Sequence, residues 1–379
     1  METSCNSKIH ITETKLFRKI ASTFALMSLG GLAHAQSSVQ IYGIMDTAVE
    51  TMNNVGATQS SLTRMPNLTG SVPSRLGFRG REDLGGGLSA SFTLEMGIGP
   101  DSGALNQGGR GFGRQSFVSL NGPWGSLGLG RQYTMLFWSV LDADVIGPSL
   151  HSMASLDNYF PNARADNAIS YKGAFSGLTV GATYSFGRDA VNAGPSPGGT
   201  NCAGESSTDS KTCREWSAML KYDTAAWGAA LAHDELRGGP GAFAGLTSSD
   251  KIDKRTMLNG YVKLGGAKIG GGYMRRKNDG YIASPRNDLW FVGVTYPIGQ
   301  WTVDAQYNQL KYKDNADKGQ LLVLRGTYNL SKRTAAYASL GYMKNSGNAA
   351  FGASSAQAGG TPMPGVNQTG FGMGLRHMF

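Results

Sequence analysis

The chain has 379 residues and a formal charge of +9 at pH 7, yet only 16% of its residues are charged and 55 are glycine. Ordinary soluble domains carry about 25% charged residues and about 7% glycine, so this composition suits many strands and tight turns rather than helices. No Gly-Lys dipeptide occurs, which excludes a Walker-A phosphate loop, and the arginines are spread along the chain rather than clustered as in nucleic-acid binders.

Residues 1–35 read as a cleaved signal peptide. Lys15, Arg18 and Lys19 form a basic start, Ile20 to Leu32 an apolar core, and Ala33-His34-Ala35 a small-residue cleavage site. The apolar run is too short for a membrane helix, which needs about 20 residues. Its loss removes Lys8, Lys15, Arg18 and Lys19 with Glu2 and Glu13, so the formal charge falls from +9 to +7 over residues 36–379.

From Ser38 onward, apolar residues recur at every second position, the strand signal. Val39, Ile41, Gly43 and Met45 oppose Gln40, Tyr42, Ile44 and Asp46; Trp301, Val303, Ala305 and Tyr307 oppose Thr302, Asp304, Gln306 and Asn308. The pattern predicts sixteen strands, near 38–52, 74–82, 88–97, 112–120, 125–133, 164–173, 177–187, 214–223, 227–237, 255–264, 267–278, 286–297, 300–312, 319–330, 334–345 and 368–379. Seven short turns alternate with eight long loops, near 53–73, 98–111, 134–163, 188–213, 238–254, 279–286, 313–319 and 346–367. Strands of about ten residues, short turns at one end and long loops at the other describe an outer-membrane β-barrel. A soluble β-sandwich would alternate too, but Tyr184, Phe186, Tyr222, Trp227, Trp301 and Tyr328 fall at or near strand ends, as an aromatic girdle would. The last strand, Gly370 to Phe379, alternates as well; in a closed barrel it pairs with the strand from Ser38 and leaves no apolar edge.

Cys202 and Cys213 flank a polar segment. In an exported chain they suggest a loop disulfide, two free thiols being the other possibility. Their spacing matches no zinc site, and no metal or cofactor is expected.

These segments resemble the general porins of Gram-negative outer membranes, especially the β-proteobacterial type. Ser38 to Asp46 is similar to that family's first strand, Ser74 to Gly87 to its second strand and first turn, and Gly374 to Phe379 to its last strand. Phe112 to Val118 and Gly128 to Tyr133 are similar to the strands leading into its third loop. The third loop here, Thr134 to Ala163, lacks the Pro-Glu-Phe-x-Gly element of enterobacterial relatives. The resemblance implies an all-β, sixteen-stranded antiparallel transmembrane barrel, usually a homotrimer, whose third loop folds inward and narrows the pore. It also implies passive diffusion of small hydrophilic solutes and ions, outer-membrane lipid as surroundings, and Phe379 as a signal to the outer-membrane assembly machinery.

Conduction needs a polar passage with a shaped field and no catalytic residue. Between Gln132 and Ala163 there is no Lys or Arg, but there are Asp142, Asp144 and Asp157. The flanking strands carry Arg75, Arg79, Arg81, Arg114, Arg131 and Arg164. If the loop folds inward, its acids would face a basic wall across the opening, and the surplus of positive charge would favour small anions. By resemblance, Arg75 and Arg114 match constriction arginines, and Asp142 and Asp144 the acidic limb of the loop; Arg131 and Arg164 extend the wall. Arg79 and Arg81 lie near Glu82 and Asp83 and read better as local ion pairs.

An enzyme would need a nucleophile and a base. The one G-x-S-x-G match, Gly194 to Gly198, has proline on both sides of the serine and suits no nucleophile elbow. A plugged adhesin barrel lacks residues for a plug. A substrate-selective channel with a solute-binding site is the closer alternative, because Phe137, Trp138 and Tyr159 fall in the third loop.

Overall fold

Strands whose outward side chains are apolar and whose inward ones are polar reach a low free energy only as a closed wall between lipid and water. The computed structural model forms that wall; it describes residues 38–160, 163–191, 199–356 and 358–379. The predicted leader 1–35 and the Gly194–Gly198 motif lie outside the described residues.

The first strands are β1 (Ser38–Val55), β2 (Ser60–Arg64), β3 (Arg75–Gly85), β4 (Leu88–Gly97), β5 (Gln115–Gly122) and β6 (Gly125–Tyr133). They are followed by β7 (Arg164–Ala165), β8 (Ala168–Phe175), β9 (Leu178–Ser185), β10 (Glu215–Asp223), β11 (Trp227–Arg237) and β12 (Ile252–Leu264). The last six are β13 (Ala267–Asn278), β14 (Arg286–Ile298), β15 (Trp301–Tyr312), β16 (Lys318–Asn329), β17 (Thr334–Ser346) and β18 (Gln368–Met378). Among the described residues these make sixteen crossings, all antiparallel to their neighbours. β2 is a short return within the first loop, paired only to β1 among the ladders, and β7 and β8 are one crossing interrupted at Asp166-Asn167. Asn167 takes the left-handed conformation (φ 48°), which asparagine tolerates better than most residues.

β18 closes the barrel on β1, from Ile44 opposite Met378 to Met52 opposite Gly370. At the seam, the Gly43 and Phe379 backbones exchange two hydrogen bonds of 3.1 Å each. A side chain on Gly43 would start 2.3 Å from the Phe379 ring, so glycine makes the slot that ring occupies.

Some strand bounds differ from the alternation. The strand expected at 112–120 begins at Gln115, where its ladder with β4 starts opposite Glu95. β1 runs three residues past the expected end because the β2 return supplies it a partner. The short turns close as read: Leu264 pairs with Ala267 around Gly265 and Gly266, both at positive φ, the two-residue hairpin that matches strand twist.

Outward, Leu258, Val303, Leu324 and Met373 are about half exposed and form the lipid-facing surface. Trp301 against Tyr328 (5.0 Å between ring centres) and Tyr222 against Trp227 (5.7 Å) mark the short-turn rim, and Trp290 against Tyr307 (5.1 Å) lies nearer the loop rim. At the loop end Cys202 and Cys213 are bonded, with Cα atoms 5.3 Å apart, and bury against Ala242 and Leu246 of the next loop.

Closing an eleven-residue separation stabilises by roughly 2–3 kcal/mol in the chain-entropy picture. Reduction, or Cys202→Ser with Cys213→Ser, should therefore speed proteolytic cleavage within residues 188–213 while the rest of the barrel stays intact. Digestion followed by mass spectrometry reads both outcomes, and unchanged cleavage would show that the bond braces nothing.

Candidate functional site

The connection from Thr134 to Ala163 turns into the lumen because the inner wall offers it an apolar shelf. Met219, Ala232, Met257, Met274, Leu289 and Leu310 stand opposite one another in unbroken register across β10 to β15. All six are buried, and all face inward. Against them pack Met135, Leu136, Val140, Ile146, Met153, Leu156 and Phe160 of the loop. Helix α1 (Met135–Val140) starts the loop and lies against β9 to β12. Apolar burial holds the loop against this wall, and specific polar anchors fix its path.

Those anchors are strong. Arg255 on β12 donates two hydrogen bonds to the Asp157 carboxylate, from Nε at 2.9 Å and Nη2 at 3.1 Å. Burial pushes the Asp157 carboxyl up, but Arg255 and Arg276 outweigh it and hold it below the usual carboxylate range. Tyr159 donates toward Glu215 (2.7 Å) and Asp234 (3.0 Å), with the Arg255 guanidinium 4.4 Å above its ring. Arg325 of β16 donates to the Ile146 carbonyl at 3.0 Å. His151 sits over Gly341 and Gly370, its Nδ1 2.9 Å from the Ser339 hydroxyl. Close approach needs glycine below the loop: a side chain on Gly270 would start 2.0 Å from the Ala143 carbonyl oxygen.

The wall left uncovered by the loop carries the arginines. Arg114 donates to Glu95 from Nε at 2.7 Å and to the Tyr133 hydroxyl from Nη2 at 2.7 Å. Arg164 donates to the same hydroxyl at 2.7 Å and stacks 4.3 Å over the Tyr133 ring. Phe137 stacks on Tyr133 with ring centres 3.8 Å apart. Arg75 stands 3.9 Å from Glu95, with 24% of its side chain exposed against 5% for Arg114. Arg75, Arg114, Arg164 and Glu95 thus line one side of a cavity of about 310 Å³, and Phe137, Leu141 and Pro148 are among the loop residues that line it.

Of the residues singled out from sequence, the structure brings together Arg75, Arg114 and Arg164. Arg131 is elsewhere, donating to the Gly113 carbonyl (2.8 Å) and to Asp166 (2.6 Å). The loop acids do not stand across from the arginines. Asp142 pairs with Lys221 on β10, Asp144 accepts from Gln306 on β15 (2.9 Å), and Asp157 is clamped by Arg255. The physical reason is the shelf: the loop lies against β10 to β16, so its polar groups meet the donors of those strands. Arg79 pairs with Gln40 (2.9 Å) and lies 5.1 Å from the Tyr42 ring centre, not with Glu82 or Asp83. Sequence reading missed Glu95, Tyr133, Lys221 and Arg255. Glu95 carried a signal, as the one acid within the apolar and hydroxylic run of β4.

A closed sixteen-stranded wall, lipid-facing outside, with a loop-narrowed polar passage inside, defines a water-filled outer-membrane channel. The chain belongs to the Gram-negative porin family, whose profile matches residues 21–348. It is 32% identical to outer membrane porin protein 32 of Delftia acidovorans over 376 residues, 96% of this chain and all of that one. It is 27% identical to an outer membrane porin protein of Bordetella pertussis, over 93% of this chain and 97% of the relative. Among solved structures, the anion-selective porin from Comamonas acidovorans superposes with a TM-score of 0.73 at 29% identity, over 91% of this chain and all of that one. The trimer form of OmpT from Vibrio cholerae, at 17% identity and a TM-score of 0.65, shares the fold over 90% of this chain. The protein is a general porin of the outer membrane, a transport channel and not an enzyme.

Two consequences of the loop's seating are measurable. Burial lowers the His151 pKa to about 4, so the docked loop holds a neutral imidazole. A released loop would carry an ordinary histidine near 6.5. Between those values the released state binds more protons, so docking weakens as pH falls from about 6.5 to about 4 and is unaffected above. Single-channel recordings should show growing current noise across that window, and His151→Gln should flatten the dependence. Gly270→Val should push the loop off the shelf toward the arginines and lower unit conductance; an unchanged conductance in a folded variant would contradict this seating.

Proposed function

We propose that this porin passes small hydrophilic solutes with a preference for anions, and that its constriction is the opening between the arginine wall and the loop edge. One observation carries the reading: three guanidinium groups and a single carboxylate, Glu95, line that cavity, while the loop acids are engaged by Lys221, Gln306 and Arg255. A narrow opening between low-dielectric walls focuses such a surplus and raises the local anion concentration, more strongly at low salt. On this reading Asp142 neutralises Lys221 on the far wall and Asp144 is held there by Gln306, rather than the two setting up an opposed field. Arg75 is the exposed member that the permeating ion meets, and Arg114 and Arg164 hold the wall in place. Arg131 belongs to a loop-end network with Asp166. The anion selectivity stated for the Comamonas acidovorans porin supports the same sign.

The chain is proposed to act as a homotrimer. β4, β5, β6, β9 and β10 have eight to ten residues, whereas β11 to β17 have eleven to thirteen. An apolar band about 25 Å tall is best met by the longer strands, and the lower wall is suited to contact with a neighbouring copy. Export is proposed to remove residues 1–35, and Phe379, seated in the Gly43 slot, to serve the assembly machinery as a signal.

Reversal potentials under a salt gradient test the selectivity. The unaltered protein should prefer chloride over potassium. Arg75→Gln should reduce the permeability ratio by roughly threefold, and Glu95→Gln should raise it. Cation preference in the unaltered channel would sink the proposal. A second reading, a saturable site for organic anions, is favoured by the apolar edge of Phe137, Leu141 and Pro148 facing the cations. Conductance that saturates with an aromatic carboxylate, but not with chloride, would select it.

A further inference from the structure

On the lipid-facing side, at the long-loop end, β12 to β17 present a rim of outward cations. Lys254, Arg275, Lys277, Arg286 and Lys313 each have a carboxylate partner, respectively Glu235, Asp288, Asp279, Asp314 and Asp288. Three lysines differ. Lys311 on β15 stands directly opposite Lys318 on β16, and Lys344 on β17 lies diagonally beside Lys318, which is opposite Ser346. Their outward direction follows from their neighbours, since Leu310, Gly319 and Met343 all meet the inner core or the infolded loop. Among the described residues, none of the three lysines has a carboxylate within 4.0 Å. The acid adjacent in sequence, Asp317, accepts instead from the Asn348 backbone and the Asn315 side chain.

Like charges placed opposite one another on a sheet are destabilising. Asp288 stands opposite Lys311 on β14 but is taken by Arg275 and Lys313, so an anion bridging the three lysines would offset their repulsion. The height of the cluster says which anion. Tyr342 faces outward two residues before Lys344, and Tyr307 four residues before Lys311. Aromatic belts sit at the headgroup boundary, and a strand rises about 3.3 Å per residue. The ammonium groups therefore stand at the level of lipid phosphates, and the long-loop end of such a barrel is the extracellular one.

We propose that Lys311, Lys318 and Lys344 form a docking site for the phosphate of an anionic lipid of the outer leaflet, with its acyl chains lying along the apolar faces of β15 to β17. The site is independent of the channel and of its ion preference.

Native mass spectrometry of the folded, detergent-solubilised protein titrated with diphosphoryl lipid A tests this. The variant Lys311→Gln, Lys318→Gln, Lys344→Gln should bind about tenfold or more weakly. A control removing the same charge from paired positions (Lys254→Gln, Lys277→Gln, Arg286→Gln) should bind as the unaltered protein does. With the unaltered protein, lipid A stripped of both phosphates should bind at least as weakly as the lysine variant does, a result that requires no substitution to fold. Equal losses in the two variants, or equal binding of the two lipids, would overturn the proposal. So would displacement by millimolar inorganic phosphate, which would mark a free-anion site instead of a lipid site.

Discussion

Everything about the passage depends on the row of apolar side chains inside the barrel. A lumen filled with water has no reason to carry Met219, Met257, Met274, Leu289 and Leu310 at one level. Their presence creates an apolar strip in a polar tube, and the only apolar surface able to cover it belongs to the same chain. The loop from Thr134 to Ala163 thus goes where exposure would cost most. On the proposed reading, the passage is what the loop leaves over, between the arginine wall of β3 to β7 and the loop edge.

This explains why the fold was legible in the sequence and the constriction only half so. Period-two alternation reports which face of each strand is apolar, and sixteen such reports, with turns that shorten and lengthen in alternation, leave one architecture. It reports nothing about an inward face that is itself apolar for a single residue. Met219 and Leu321 face inward, and their apolar chemistry is the clue to where the loop lies. The arginines could be gathered from sequence because Arg75, Arg114 and Arg164 start or adjoin neighbouring strands. The partners of the loop acids could not be. Gln306 is more than 160 residues from Asp144 in sequence, and only the curvature of the barrel brings them together.

The charge balance follows from the same seating. Each loop acid is held by a partner on the wall it lies against: Asp142 by Lys221, Asp144 by Gln306 and the buried Asp157 by Arg255. Asp157 between Arg255 and Arg276 is the extreme case, with the carboxylate fully enclosed. On the proposed reading, the passage lies between a wall of three arginines with Glu95 and a mostly apolar loop edge.

The bond between Cys202 and Cys213 has a consequence for the order of assembly. It lies at the long-loop end, which in the finished barrel is the far side of the membrane. Disulfides of exported bacterial proteins are made in the periplasm, the near side. The covalent tie is therefore in place before its segment crosses the bilayer. β9 and β10 then insert as a hairpin whose distal connection is already shortened.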